Sequence, residues 1–396
     1  MKTLRQLFFE HVGQTSENPL GLNISKADGI FLFDSDGKKY IDFISGISVS
    51  NLGHGNPHII KAVKEQCDKH MHLMVYGEYI QSPQVNYARL LTNQLPQNLE
   101  SVYFVNSGSE ANEGAIKLAK RYTGRTEVVA FSNAYHGSTQ ALLSLMDNRY
   151  YTQAFRPLLA DIRILKFNNL DNLNQISERT ACVIIEPIQG EAGVVLPEFG
   201  FLKKLRERCN ETGTLLIFDE IQTGFGRTGF LFAFQKYDAI PDILTIAKAM
   251  GGGMPVGAFV SSKKIMAVLM TNPVLGHITT FGGHPVSTAA ALAHLKILLD
   301  SDILQKVNTK GEYLISRLKH KLIKSKSGTG LFYSIELENA ELVQKFLKVA
   351  LKLGLIADWF LHCDYRFRIA PPLVISEQEL DQAIEIIHRA LDEINS

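Results

Sequence analysis

The residue with the clearest chemical potential in this sequence is Lys248, which follows a short apolar run and precedes three glycines. Such a run predicts a buried strand, and glycines after it let the backbone pass close to a ligand. A primary amine in that position can act as a covalent catalyst. Chance explains one such lysine equally well, because the chain has 41 lysine and arginine residues. Other residues must therefore decide what Lys248 does.

Three more polar features follow apolar runs in the same way. Gly108 and Ser109 lie in a turn of small residues that leads into a helix, where backbone N–H groups and the helix dipole can bind a phosphate. Tyr135 offers a flat ring that can stack on a heterocycle. Asp219 ends a fully apolar run, and a carboxylate there needs a cationic or hydrogen-bonding partner. Each feature has an ordinary structural explanation when it is considered alone.

The four features have one joint explanation. An anion cradle, a stacking ring, a carboxylate for a protonated ring nitrogen and an amine for a Schiff base form the protein side of a pyridoxal 5′-phosphate site. The pattern therefore predicts an enzyme with this cofactor, and it calls for no metal.

The elements that must position these residues form an α/β fold. Continuous apolar runs predict strands buried on both faces, as in a mostly parallel sheet covered by helices. Ligands of such sheets bind beyond the carboxyl ends of the strands, where the four features lie. The predicted strands are 102–105, 128–131, 181–185, 215–218 and 243–246. Helices are predicted over 110–122 and 201–212.

A smaller α+β domain is predicted from both ends of the chain. The N-terminal part is a hairpin of strands 29–33 and 39–43. The C-terminal part is predicted as helix 303–325, strand 330–337, helix 341–353, strand 366–370 and a helix after Ser376. The predicted division is 1–45 for the N-terminal part of the small domain, 46–295 for the large domain and 296–396 for the C-terminal part.

The composition excludes several other classes of protein. Of the 396 residues 45% are hydrophobic and 20% are charged, which is typical of a globular protein and not of a disordered one. The net charge of +1 gives no field that would recruit nucleic acid or an anionic membrane. The four cysteines show no zinc spacing, no segment is long enough to span a bilayer, and the N-terminus lacks a signal-peptide core. We therefore expect a cytoplasmic protein with small-molecule substrates.

One motif supports an interpretation from another class. The glycines at 224, 226 and 229 form a GxGxxG pattern after a strand, with Asp242 near the spacing of a ribose-binding acid. A dinucleotide-binding oxidoreductase is therefore a second interpretation. Four residues separate Asp219 from this motif, and the aromatic run after it does not resemble the start of a helix.

Several motifs in a fixed order resemble one family. They are Asn106 to Asn112, Tyr135-His136-Gly137, Glu186 to Glu191, Asp219 to Gly229 and Lys248 to Gly253. The chain resembles the class III aminotransferases of the fold-type I pyridoxal phosphate enzymes, in their ornithine and acetylornithine branch, from Gly29 to the C-terminus. This implies a large domain around a seven-stranded, mostly parallel sheet and a smaller α+β domain.

The resemblance also implies roles for single residues. Lys248 would form the Schiff base and move a proton, and Asp219 would pair with the pyridine nitrogen. A threonine of the partner subunit reaches the phosphate in this family, which here is Thr280 and requires a homodimer. The cofactor residues so implied are Gly108, Ser109, Tyr135, His136, Asp219, Ile221, Gln222, Lys248 and Thr280.

The implied reaction is transfer of an amino group to 2-oxoglutarate by a ping-pong mechanism. Arg368 resembles the arginine that binds the substrate α-carboxylate, and Glu191 the acid that pairs with it during ω-amino transfer. Ser138 replaces an arginine typical of the acetylornithine branch, which argues against acetylornithine without removing it. Ornithine, acetylornithine, lysine, 4-aminobutyrate and other ω-amino compounds stay open as donors. Decarboxylating transamination and an aminomutase reaction remain alternatives on the same fold.

Overall fold

The computed structural model describes residues 2–395. Its strands are β1 (Ile24–Asp28), β2 (Phe31–Asp34), β3 (Lys39–Asp42), β4 (Ser101–Val105), β5 (Glu127–Phe131), β6 (Ile162–Leu165), β7 (Thr180–Ile185), β8 (Leu215–Asp219), β9 (Ile243–Ile246), β10 (Gly257–Ser261), β11 (Ser325–Thr329), β12 (Phe332–Glu336), β13 (Leu355–Ile356), β14 (Trp359–Phe360) and β15 (Cys363–Ile369). Its helices are α1 (Leu4–His11), α2 (Ser45–Ser48), α3 (Pro57–Lys69), α4 (Ser82–Thr92), α5 (Gly108–Thr123), α6 (Gln140–Leu143), α7 (Arg149–Thr152), α8 (Phe201–Thr212), α9 (Lys263–Met266), α10 (Pro285–Asp300), α11 (Ile303–Arg317), α12 (Ala340–Leu353) and α13 (Glu377–Asn395). Among the described residues no helix is both long enough and apolar enough to cross a membrane.

A seven-stranded sheet forms the centre of the fold, in the order β4-β10-β9-β8-β7-β5-β6. The strands predicted from five apolar runs all lie in it, as β4, β5, β7, β8 and β9. β10 is antiparallel to both of its neighbours, and the other pairs are parallel. The predicted mostly parallel sheet of seven strands is therefore confirmed.

The sequence analysis did not identify β6 and β10. β10 follows β9 after a 3-10 turn (Lys248–Gly251) and a few more residues, with no crossover helix between them. Two neighbouring strands joined by so short a segment pair antiparallel, because a parallel return needs a longer connection. This glycine-containing connection carries Lys248 at its start.

One of the two smaller sheets joins the two ends of the chain. The predicted N-terminal hairpin is present as β2 and β3, and β3 also pairs in parallel with β13 near the C-terminus. A second sheet has the order β11-β12-β15-β14. The helix predicted over 303–325 is wrong at its end, because α11 stops at Arg317 and Ser325 starts β11. The segment from Ser325 is a strand because β11 pairs antiparallel with β12.

The dinucleotide interpretation of the glycine motif is wrong. No α-helix begins directly after Gly229, because the next element in the described chain is a 3-10 turn (Ala233–Lys236). A Cβ placed on Gly226 would lie 2.6 Å from Leu304, so this glycine allows close packing against α11. Asp242 accepts hydrogen bonds from Leu216 N and Arg206 instead of facing a ligand.

Candidate active site

A cavity of about 430 Å³ lies where β8 and β9 end and α5 begins. Strand ends of an α/β sheet are the usual place for a ligand. All but one of the residues predicted to bind the cofactor line this cavity, although strands far apart in the sequence contribute them. They are Gly108, Ser109, Tyr135, His136, Asp219, Ile221, Gln222 and Lys248.

Lys248 is the first residue of the 3-10 turn in the connection between β9 and β10. Its φ angle is +49°, in a region that residues other than glycine rarely adopt. Such a conformation persists only where the surrounding structure enforces it, and it is common at functional sites. Burial lowers the pKa of the Lys248 amine, so the neutral and nucleophilic form is favoured.

Asp219 is buried and held by three hydrogen bonds. Oδ2 accepts from Asn112 Nδ2 at 2.7 Å and from His136 Nδ1 at 2.8 Å, and Oδ1 accepts from Ile221 N at 3.0 Å. Asn112 is itself oriented by Thr245, whose hydroxyl donates to Asn112 Oδ1 at 2.7 Å. The Asp219 carboxylate therefore has a fixed direction at the edge of the cavity.

Asn112 is a site residue that the sequence analysis missed. It lies on the face of α5 that carries Ala111 and Ala115, and it is fully buried. An amide side chain on an apolar helix face must find polar partners inside the protein. The amide on an otherwise apolar helix face was therefore the signal available in the sequence. The identity of its partner depends on how α5 packs on the sheet.

A second buried carboxylate, Glu186, also lines the cavity and was not assigned a role from the sequence. It accepts hydrogen bonds from Tyr135 N at 3.0 Å and Gly190 N at 2.9 Å. Burial raises the pKa of Glu186 to about 7. Burial alone would lower the pKa of His136, but the hydrogen bond and charge of Asp219 and the charge of Glu186 raise it above its ordinary value.

The N-terminus of α5 borders one corner of the cavity. Ser107 caps the helix by accepting from Glu110 N at 3.2 Å, and the first two residues of the helix, Gly108 and Ser109, line the cavity. The first N–H groups of a helix have no partner within it, so they are available to an anion. The corner is closely packed, since a Cβ on Gly108 would lie 2.9 Å from Ile221. A Cβ on Gly137 would overlap the Ser109 hydroxyl.

Arg368 and Glu191 face an adjoining cavity of about 950 Å³, which Lys248 and Tyr135 also line. Arg368 Nη2 donates to the two carboxylate oxygens of Glu191 at 2.8 and 2.9 Å. The Arg368 side chain is only 2% exposed and its guanidinium lies 4.6 Å from the centre of the Phe360 ring. Burial opposes ionisation of Glu191, but Arg368 and the Leu361 N–H outweigh it and lower the pKa of Glu191.

Thr280 is the one predicted cofactor residue that the described chain does not bring to either cavity. It is exposed in the segment before α10. Its predicted role depends on a second subunit and stays a prediction.

The residues of the first cavity fit pyridoxal phosphate. Asp219 presents a fixed buried carboxylate for a ring nitrogen, and the start of α5 presents N–H groups for a phosphate. Gln222 Nε2 is buried and has no hydrogen-bond partner among residues 2–395, so a donor is free for a ligand oxygen. The fold and these groups define a pyridoxal-phosphate transferase.

Comparison with known proteins identifies the family. The family model described as aminotransferase class-III matches residues 12–391. The chain is 37% identical over 385 residues to the acetylornithine aminotransferase of Clostridium acetobutylicum, covering 93% of this chain and 96% of that protein. It is 35% identical over 387 residues to the LysW-aminoadipate semialdehyde/glutamate semialdehyde transaminase of Sulfolobus acidocaldarius, covering 95% and 96%.

A solved structure agrees with this result. The ornithine aminotransferase of Toxoplasma gondii, whose structure shows partial occupancy of pyridoxal phosphate, superposes with a TM-score of 0.91 at 27% identity, covering 98% of this chain and 93% of that one. The chain therefore belongs to the class III aminotransferases. Its cofactor is pyridoxal phosphate, and its substrates include amino acids.

Proposed function

We propose that this aminotransferase moves the ω-amino group of an amino acid to 2-oxoglutarate in two half-reactions. One observation carries the proposal: the buried Arg368–Glu191 ion pair faces the cavity that Lys248 lines. While Glu191 neutralises Arg368, the pocket favours the ω-amino end of a donor, whose reacting carbon carries no carboxylate. When Glu191 turns away, the guanidinium is free for the α-carboxylate of an oxo acid.

The proposed roles around the cofactor follow from the contacts of each side chain. When bound, pyridoxal phosphate supplies a conjugated ring that withdraws electrons from the substrate carbon. Asp219, oriented by Asn112 and His136, keeps the ring nitrogen protonated through its charge. Gly108 and Ser109 bind the phosphate at the start of α5.

The remaining cofactor residues form the walls of the same cavity. Ile221 and Tyr135 would contact the two faces of the ring, and the Nε2 group of Gln222 would donate to the phenolic oxygen. Lys248 would link the cofactor to the chain, and its Nζ, when free, would take the proton from the substrate carbon. The lowered pKa of the Lys248 amine suits both tasks.

The donor is argued from the walls of the larger cavity. Apolar side chains dominate there, including Tyr151, Phe155 and Trp359, which suits a methylene chain. Relatives are named for acetylornithine, LysW-aminoadipate semialdehyde and ornithine. Ser138, which bonds the Tyr135 hydroxyl at 3.0 Å, gives no positive charge for a distal carboxylate. Ornithine, acetylornithine, lysine and 4-aminobutyrate are therefore the donors to compare.

A donor panel tests this proposal directly. Each donor is incubated with the enzyme and 2-oxoglutarate, and glutamate, the carbonyl product and carbon dioxide are measured. We expect glutamate and a terminal aldehyde without carbon dioxide. Carbon dioxide in proportion to product would indicate a decarboxylating reaction, and an isomeric amine without glutamate would indicate an aminomutase.

We further propose a homodimer in which Thr280 binds the phosphate held by the partner subunit. Exposed apolar residues support it, because they surround a groove of about 360 Å³ that ends beside Thr280. Those that line the groove are Tyr79, Ile80 and Val85. Apolar surface of this kind typically marks an interface.

Subunit complementation tests the position of Thr280. Lys248→Ala and Thr280→Asp are each expected to be inactive, the second because a carboxylate repels the phosphate. In a mixed dimer one site receives Lys248 from one chain and Thr280 from the other, so mixing should restore activity. If Thr280 served its own chain, mixing would restore none.

Two broader statements complete the proposal. Residues 46–295 form the large domain, while 1–45 and 296–396 form the small one, which the pairing of β3 with β13 supports. We place the enzyme in the cytoplasm, because its four cysteines are free thiols.

A further inference from the structure

Arg368 has a second carboxylate partner, Asp358. Asp358 Oδ1 lies 3.2 Å from Arg368 Nε, while Glu191 occupies Nη2. Both acids line the larger cavity. Arg368 Nη1 is buried and makes no hydrogen bond within the described chain, so one donor of the guanidinium is free for a ligand.

Strand pairing fixes Asp358 beside Arg368. Asp358 directly precedes β14, and antiparallel pairing places Trp359 opposite Phe367. The next pair outward is Asp358 and Arg368, and Arg368 N donates to Asp358 O at 2.8 Å. Glu191 lies instead on the loop after β7 and reaches Arg368 only through its side chain. Rotation of the Glu191 side chain would break its contacts with Arg368 and with Leu361 N, whereas the strand pair keeps the backbone of Asp358 next to Arg368.

This difference between Glu191 and Asp358 affects the binding of the oxo-acid acceptor. When Glu191 leaves, an oxo-acid carboxylate can bind Nη1 and Nη2 of Arg368, but Nε still faces Asp358. Two carboxylates then share one guanidinium, and their repulsion weakens the binding of the acceptor. A donor that enters with its ω-amino end brings no carboxylate to Arg368 and does not meet this repulsion.

We propose that Asp358 is a specificity-determining residue that keeps Arg368 neutralised after Glu191 moves, weakens carboxylate binding there and so favours ω-amino donors. The proposal rests on the role of Arg368 in the proposed function. Asp358 acts on the substrate through Arg368 and takes no part in proton transfer.

The charge of Asp358 depends on pH. The charged groups around it are Arg368 on β15, Glu191 on the loop after β7 and Asp42 at the end of β3. Burial raises the pKa of Asp358 to about 6, with Glu191 and Asp42 adding to the rise and Arg368 opposing it. Asp358 is therefore ionised at pH 8 and half protonated near pH 6, so its repulsion should grow across this range.

The test is direct binding of glutarate to the holoenzyme, measured by calorimetry at pH 6 and pH 8. Glutarate has two carboxylates and no oxo group, so it binds without reacting. Compared with wild type, Asp358→Asn should bind about tenfold more tightly at pH 8 and about twofold more tightly at pH 6. Asp364→Asn is the matched control, because it removes the same charge from an exposed position on β15 and should match wild type.

Two further measurements separate the possible failures. If Asp358→Asn equals wild type at both pH values while Arg368→Gln abolishes binding, the role of Asp358 is refuted and the role of Arg368 stands. If glutarate binding survives Arg368→Gln unchanged, the carboxylate site of the proposed function fails. If Asp358→Asn does not fold, the affinity of the wild type for glutarate at the two pH values is still a test. An affinity that does not fall from pH 6 to pH 8 contradicts the proposal.

Discussion

Lys248 is the residue on which the proposed chemistry depends, because it combines a strained backbone with an amine whose pKa is lowered by burial. We expect Lys248→Ala to lose at least about 10³-fold in aminotransferase activity, since no other amine lines the cofactor cavity in the described chain. Borohydride should fix the cofactor to the wild type and not to the variant, as seen by mass spectrometry. Lys263→Ala, at an exposed position, is the control and should behave as wild type.

The pKa of the Lys248 amine can be measured in the apoprotein by competitive acetylation across a pH series. Burial lowers this pKa, so the amine loses its proton at a lower pH than a free lysine side chain, whose pKa is about 10.4. We expect the Lys248 labelling curve to be displaced to lower pH than that of N-acetyl-lysine in the same tube. A curve at or above the reference would contradict the effect of burial.

Helix α5 connects local stability with ligand binding. Ser107 caps it beside the cavity, and Asn339 caps α12 in the same way by accepting from Leu342 N at 3.0 Å. Replacing either residue with alanine should reduce the free energy of unfolding by about 1 kcal/mol. Urea unfolding of the apoprotein measures this loss.

Only the cap at the cavity should matter for the cofactor. Ser107→Ala loosens the first turn that carries Gly108 and Ser109, so we expect several-fold weaker cofactor binding in a titration. Asn339→Ala should leave that affinity unchanged. Equal effects of the two variants would mean that the start of α5 does not bind the phosphate.

The whole molecule has an apolar surface that a second copy would cover. Ile80 is 95% exposed at the edge of the groove beside Thr280. We expect light scattering to give twice the chain mass of 44.1 kDa for the wild type and the single-chain mass for Ile80→Glu. Phe199→Glu, at another fully exposed apolar position, should remain a dimer. A monomeric wild type, or a dimeric Ile80→Glu, would contradict the proposed interface.

The sequence by itself determined the strands with continuous apolar runs and the polar residues that end them. Both are local properties: a run such as 215–218 is too apolar to remain exposed, and Asp219 after it has no local partner. The motifs are also short local stretches, so their order along the chain was enough to indicate the family. Dependence on local properties also explains why helix 303–325 was predicted too long, since α11 is limited by the distant pairing of β11 with β12.

Tertiary structure alone decided which of these residues meet. Asn112 contacts Asp219 across 107 positions of sequence, and Asp358 contacts Arg368 only because β14 and β15 pair in one register. The position of β10 in the sheet and the use of Glu186 depend on packing in the same way. Local patterns indicate the chemistry available to a residue, whereas its partner depends on contacts between segments that are far apart in the sequence.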